Sequence, residues 1–268
     1  MTGPYIMGYS EAYLRILASR SAADACAYLL PHLKPGLRVL DVGCGPGSIS
    51  DGLAEAIAPG ELRGIDIEPS QVEMATQAAA ERRLSNAKFS VADVTALPFE
   101  DDSYDVVHCS DTLAYVPDTG AALNEMKRVL KSGGILACRE IIMDLFMTHP
   151  DPDPGPATQA YAVFADTLQS DDGHPQMGKE LAGHLDQAGF VDIQTSASFE
   201  MFAGERLKLL YELGDEWFFT VDIESAATQY GAASRRMLEE IRQSRESWYS
   251  APHAMGAFAF GEALAVNP

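Results

Sequence analysis

The segment Val39-Leu-Asp-Val-Gly-Cys-Gly-Pro-Gly47 constrains this chain more than any other. A β-rich run, Leu37 to Val42, passes through glycines 43, 45 and 47 into a helical pattern that Pro59-Gly60 ends. Glycines at such a junction let the backbone turn tightly and approach a ligand at the positive end of a helix. The pattern is not the dinucleotide fingerprint, which would need glycine at 48, where the chain has Ser48. An acid, Asp41, stands at the strand end just before the glycines. It would repel a pyrophosphate and attract an ammonium group.

The alternation of strand and helix continues. Leu62–Ile67 reads as a second strand, and Ser70 with Glu73 has the spacing of a capping box for a helix reaching Leu84. Lys88–Ala92 and Tyr104–Cys109 read as strands, Thr119–Lys131 as an amphipathic helix, and Ile135–Ile142 as a fifth strand. Strands alternating with helices imply parallel βαβ units and a doubly wound α/β sheet. Thr148–Pro156 is a proline-rich break. Helical patterns at 157–169 and 178–188, a strand at 190–199, helices over 204–250 and a terminal strand, Ala257–Ala265, complete the chain.

Two more acids end strands. Asp66 closes the second and can accept hydrogen bonds from both hydroxyls of a ribose. Asp93 closes the third and can accept from an adenine amino group, while the N–H of Val94 meets a ring nitrogen. Partners for an ammonium, a ribose and an adenine, with no phosphate site, describe S-adenosylmethionine.

These residues resemble the class I methyltransferases that use this cofactor, and especially the ubiquinone/menaquinone-biosynthesis group. The likeness lies in VLDVGCGPG at 39–47, GIDIEPS at 64–70, ADVTALPFEDDSYDVVHCSDTLAYVPD at 92–118 and MKRVLKSGGIL at 126–136. It implies a seven-stranded Rossmann-like sheet of order 3-2-1-4-5-7-6. It also implies that Asp41, Gly43, Cys44 and Gly45 hold the methionine end, with Ile67 beside Asp66 and Ser110 after the fourth strand. Tyr9 and Arg20 are expected lid contacts. The expected organisation is one domain: a helical lid at 1–34, a cofactor core at 35–147, a substrate cover with strand 6 at 148–256, and the terminal strand at 257–268.

Composition then narrows the substrate. With 19 basic and 39 acidic residues the chain carries a formal charge of −20, which disfavours nucleic acid. Ser110-Asp-Thr-Leu-Ala-Tyr115 replaces the Asn/Asp-Pro-Pro-Tyr-like motif of base and glutamine methylases. Asp111 could begin a metal set, but Arg139–Asp144 lacks the Asp-Asn pair to complete it, so no metal is expected. No run reaches 18 apolar residues and no signal peptide is visible, while four cysteines without metal-like spacing fit a reducing cytoplasm. Met143, Phe146, Met147, Trp217, Phe218, Phe219 and Trp248 suit a small, hydrophobic or aromatic metabolite, or form the insertion's own core. Candidate general bases are Glu140, Tyr115 and His253, whereas His108 inside a buried strand reads as a core histidine. Non-methylating chemistry on the same fold, or a binding subunit, are the alternatives.

Overall fold

The computed structural model describes residues 9–150, 156–170, 172–219 and 234–268. Among the described residues there are seven strands: β1 (Arg38–Val42), β2 (Glu61–Asp66), β3 (Ala87–Val91), β4 (Tyr104–Ser110), β5 (Leu130–His149), β6 (Val191–Ala203) and β7 (Met255–Val266). They form one mixed sheet in the order β3-β2-β1-β4-β5-β7-β6, the order that the resemblance implies. Pairs β1/β2, β1/β4, β2/β3 and β4/β5 are parallel. Central β1 is buried at every position after Arg38, as a strand covered on both faces must be.

The helices are α1 (Glu11–Ser19), α2 (Ala22–Ala25), α3 (Ser48–Ile57), α4 (Pro69–Glu81), α5 (Thr119–Val129), α6 (Pro156–Ser170), α7 (Met177–Gln187), α8 (Leu207–Phe219) and α9 (Arg235–Tyr249). The start of α4 corrects the capping-box expectation. Glu68 is the cap, its side chain accepting from Ser70 N–H, and Pro69 supplies the first helical residue with φ already set. Asp118 caps α5 by accepting from Ala121 N–H at 2.8 Å. β5 and β6 outrun their expected ends, because hydrophobic periodicity fixes an element better than its limits.

The chain divides into two compact units. One comprises residues 17–140, 177–197 and 261–268. Its core packs Ala22, Ala25, Cys26 and Leu29 with Leu53, Ala54 and Ile57 of α3 and with Val39, Leu62, Val106 and Ala137 of the sheet. It includes α7 and the first half of β6, which were expected to belong to the cover.

The other unit comprises residues 1–16, 141–176 and 198–260. Its centre is aromatic: Phe146 and Tyr161 lie 3.8 Å apart by ring centroids, and Phe258 lies within 5.6 Å of Phe146, Tyr161 and Phe202. Arg15 pairs with Glu212 at 2.8 Å, and Ala12 N–H donates to Glu216 at 3.1 Å, joining α1 to α8.

Candidate functional site

The glycine turn between β1 and α3 is held from two sides. Gly45 N–H donates to Asp66 Oδ2 at 2.9 Å, and Glu68 N–H donates to Asp66 Oδ1 at 3.0 Å. A carboxylate has about four acceptor sites, so Asp66 retains capacity for a ligand. Burial raises its pKa against the pull of these two N–H groups. Gly43 has φ +69°, and a Cβ there would overlap the Thr112 side chain after β4. Gly45 is the contrasting position: a Cβ would find only Gln71 Oε1, at 4.0 Å, leaving a cradle above the backbone.

Asp41 lies deep beneath the turn. It was expected to face an ammonium group, yet it is only 2% exposed and its oxygens are engaged within the protein. His108 Nδ1 lies 2.7 Å from Oδ1, and the Ser50 hydroxyl donates to Oδ2. Asp41 therefore shapes the base of the turn. His108 is wholly buried, as its place in β4 implied. Burial pushes the Cys44 thiol well up, with Asp41 and Asp66 adding to the rise, so Cys44 packs rather than reacts.

At the ends of β2 and β3, Asp93 accepts from Thr95 N–H and Oγ, both at 2.8 Å through Oδ1. Val94 is buried, and Ile67 is exposed beside Asp66. After β4, Asp111 adopts φ +54° and receives Arg20 Nη1 at 3.1 Å on Oδ2, in a pair with side chains less than a tenth exposed. Four buried polar atoms here have no protein partner: Ser110 Oγ, Asp111 Oδ1 and both amide atoms of Gln71. Unmet hydrogen-bonding groups in such positions fit a polar ligand.

Gln71 was missed in the sequence. The available signal was a polar residue on the buried face of α4, at Gln71, Ala75 and Ala79.

Glu140, a candidate general base, lies behind the segment after β4. Its wholly buried carboxylate accepts from Thr112 and Leu113 N–H at 3.1 and 3.0 Å on Oε1, and from Ala114 N–H at 3.1 Å on Oε2. Burial, with Asp111 nearby, pushes its pKa up to about 8. Through these three backbone N–H groups Glu140 holds the segment after β4. Tyr115, in the short turn Leu113–Tyr115, is buried. His253 is exposed at φ +59°, just before β7.

In the other unit Tyr9 is half-buried, while Phe146, Met143 and Trp248 are buried and Met147 is exposed. Phe146 thus serves the unit's own core. The side chains of Trp217, Phe218 and Phe219 lie outside the described residues. Among the described residues no group of three His, Cys, Asp or Glu could hold a metal ion, and no helix is long and apolar enough to cross a membrane.

Sheet order, glycine turn and flanking acids define a class of enzyme with the Rossmann-like methyltransferase fold. Residues 33–168 match the methyltransferase-domain family, and the chain belongs to this family of S-adenosylmethionine-dependent methyltransferases. It is 40% identical over 194 residues to the demethylmenaquinone methyltransferase of Staphylococcus aureus, across 72% of each chain. It is 37% identical over 154 residues to "Probable methyltransferase ltbC" of Aspergillus luteorubrus, and spans about half of that relative's length, 54%. Among solved structures it is similar to YcgJ of Bacillus subtilis, with TM-score 0.60 and 19% identity over 91% of this chain and 98% of the other. Phosphoethanolamine N-methyltransferase 2 of Haemonchus contortus, solved with S-adenosyl-L-methionine, has TM-score 0.52 and 20% identity over 88% of this chain and 49% of its own. The two structural likenesses concern the fold.

Proposed function

We propose that this enzyme methylates a small hydrophobic or ring-bearing metabolite. The observation that carries the site assignment is the set of unmatched polar atoms on Gln71, Ser110 and Asp111 beside the open cradle at Gly45. Asp66 would accept from the ribose hydroxyls. Asp93 and the N–H of Val94 would take the adenine edge, with exposed Ile67 against its face. Gly43, Cys44 and Gly45 supply the close backbone at the methionine end, over the base that Asp41 shapes. When bound, the cofactor supplies a methyl group activated on a sulfonium.

This chain's residues then bind, orient and exclude water, the contributions that in-line transfer needs from a protein. Glu140 fixes Thr112–Ala114, and Arg20 fixes Asp111. Tyr115 is the group to accept a proton from a hydroxyl or carbon acid; an amine or thiolate acceptor needs none.

Two facts support the acceptor class. The Staphylococcus relative is named for demethylmenaquinone, and the unit centred on Phe146 exposes Leu145, Met147, Phe199 and Met201. The charge of −20 supports a substrate other than nucleic acid. Four free, buried cysteines support a cytoplasmic location, and we place the reaction in secondary metabolism. The test is to incubate the purified protein with S-adenosylmethionine and a panel of phenols, quinols, thiols and amines, reading S-adenosylhomocysteine and methylated product by mass spectrometry. Product with a ring-bearing apolar acceptor is expected. Tight cofactor binding without acceptor-dependent turnover would overturn methyl transfer in favour of a non-methylating reaction or a binding subunit.

A further inference from the structure

The acid near the end of β1 is engaged inside the protein. Asp41 is 2% exposed, with His108 Nδ1 2.7 Å from Oδ1 and the Ser50 hydroxyl on Oδ2. Burial alone would lower the His108 pKa, but Cys26 and Asp41 push it up to about 10. An imidazolium therefore already balances this carboxylate at neutral pH. A positively charged ligand group finds no counter-charge at Asp41, and a second acid near the glycine turn has to supply it.

Asp111 is placed to do so. Its N–H donates to Arg139 O at 2.7 Å, and its backbone leaves β4 at φ +54°, a left-handed conformation that Asp adopts more readily than most residues. Thr112 N–H, the next along the chain, is anchored to Glu140 Oε1 at 3.1 Å. The Thr112 side chain stands so close to the glycine turn that a Cβ on Gly43 would overlap it. The segment is thus fixed against that turn. Arg20 holds Asp111 Oδ2, whereas Oδ1 is buried with no protein partner, as is the Ser110 hydroxyl one residue before. Both oxygens accept hydrogen bonds, and an ammonium brings three donors and no acceptor. Charge points the same way. Burial, and then the Asp111 charge, push the neighbouring Glu140 up to about 8, the mark of a site short of positive charge. A neutral hydroxyl would meet the hydrogen bond and leave that shortage in place.

We propose that Asp111 Oδ1 and Ser110 Oγ form a binding subsite for an ammonium group. That group is carried either by the methionine end of the cofactor or by an amine on the methyl acceptor, and the chemistry on the protein is the same. Arg20 orients the carboxylate through Oδ2, and the bond from Thr112 to Glu140 keeps the segment beside the turn. For the cofactor source the subsite rests on the proposed cofactor site, and it moves the ammonium contact from Asp41 to Asp111. For the acceptor source it needs only the end of β4.

Calorimetry on the full-length protein tests this with two pairs of ligands, each pair matched except for the amino group. The first pair is S-adenosylhomocysteine and its des-amino analogue. The second, added with and without S-adenosylhomocysteine, is 2-phenylethylamine and 2-phenylethanol. Wild type should bind the amine-bearing member of at least one pair about tenfold tighter than its match. Asp111→Asn should remove that preference and leave the affinity of the amine-free member unchanged, and Ser110→Ala should narrow it. A preference within the first pair assigns the cofactor source, and one within the second the acceptor source. Equal affinity, or no binding, within both pairs overturns the proposal in the wild type alone, with no variant needed. A preference that survives Asp111→Asn also overturns it, because the ammonium is then held elsewhere. If wild type binds neither adenosine ligand, the cofactor reading fails, and the second pair without S-adenosylhomocysteine still decides the subsite.

Discussion

Polar side chains around the glycine turn differ from Arg245 and Trp248 near the aromatic centre of the other unit. Around the turn, Gln71, Ser110 and Asp111 keep buried polar atoms with no protein partner. At the aromatic centre, Arg245 is answered by Asp215 at 2.9 Å and by the Tyr211 carbonyl, and Trp248 Nε1 donates to His149 O at 3.2 Å. Rings of Phe146, Tyr161, Phe202 and Phe258 fill the remaining space. Arg245 and Trp248 are satisfied within their own unit. A region built for a ligand leaves some to be satisfied by it.

The largest effect that can break this contrast comes from the core. Phe202 is wholly buried, so Phe202→Ala should cost about 3–5 kcal/mol of stability in urea denaturation. The fraction that remains folded should bind S-adenosylhomocysteine with unchanged affinity. A specific affinity loss without destabilisation would erase the distinction between the regions.

Gly43→Ala comes next. Positive φ and the overlap with Thr112 should together cost about 2–4 kcal/mol and abolish ligand binding in calorimetry. Normal binding and a normal melting temperature would show that the turn is not held as described.

Glu140 sharpens the contrast through pH. Its folded pKa of about 8 stands above its ordinary 4.5, so the folded state holds more protons between those values. The stability contributed by protonated Glu140 is fully present below 4.5 and is lost as pH rises towards 8. Glu140→Gln should flatten that slope in urea titrations from acid to mildly basic pH. An unchanged slope would assign the pH dependence elsewhere.

Gln71→Ala should have the smallest effect. Its amide has no protein partner, so removing it should leave the melting temperature level or higher while weakening S-adenosylhomocysteine by about 1 kcal/mol. Lost stability with intact affinity would make Gln71 a structural residue.

The alternation of strands and helices over residues 37–142 was legible in short β-rich runs and amphipathic stretches, whereas the order of the sheet came from the resemblance. The positions of Asp66 and Asp93 were legible too, since both end strands beside turns. Partners across the sequence were not. Nothing near Asp41 announces that His108 engages it, or that Ser50 fills its second oxygen. Glu140 looked like a base because an acid at a strand end is common to bases and to backbone anchors. Only the three amides of Thr112, Leu113 and Ala114 separate the two roles. The aromatics after β5 matched pocket and core equally well in composition, and burial decided for the core at Phe146 and Trp248.

The most direct test is calorimetric titration of S-adenosylhomocysteine into wild-type protein and Asp66→Ala. Strand-end acids that hold the nucleoside predict measurable binding to the wild type and a loss of about 1–3 kcal/mol in the variant. Equal affinity in two equally folded proteins would contradict the account.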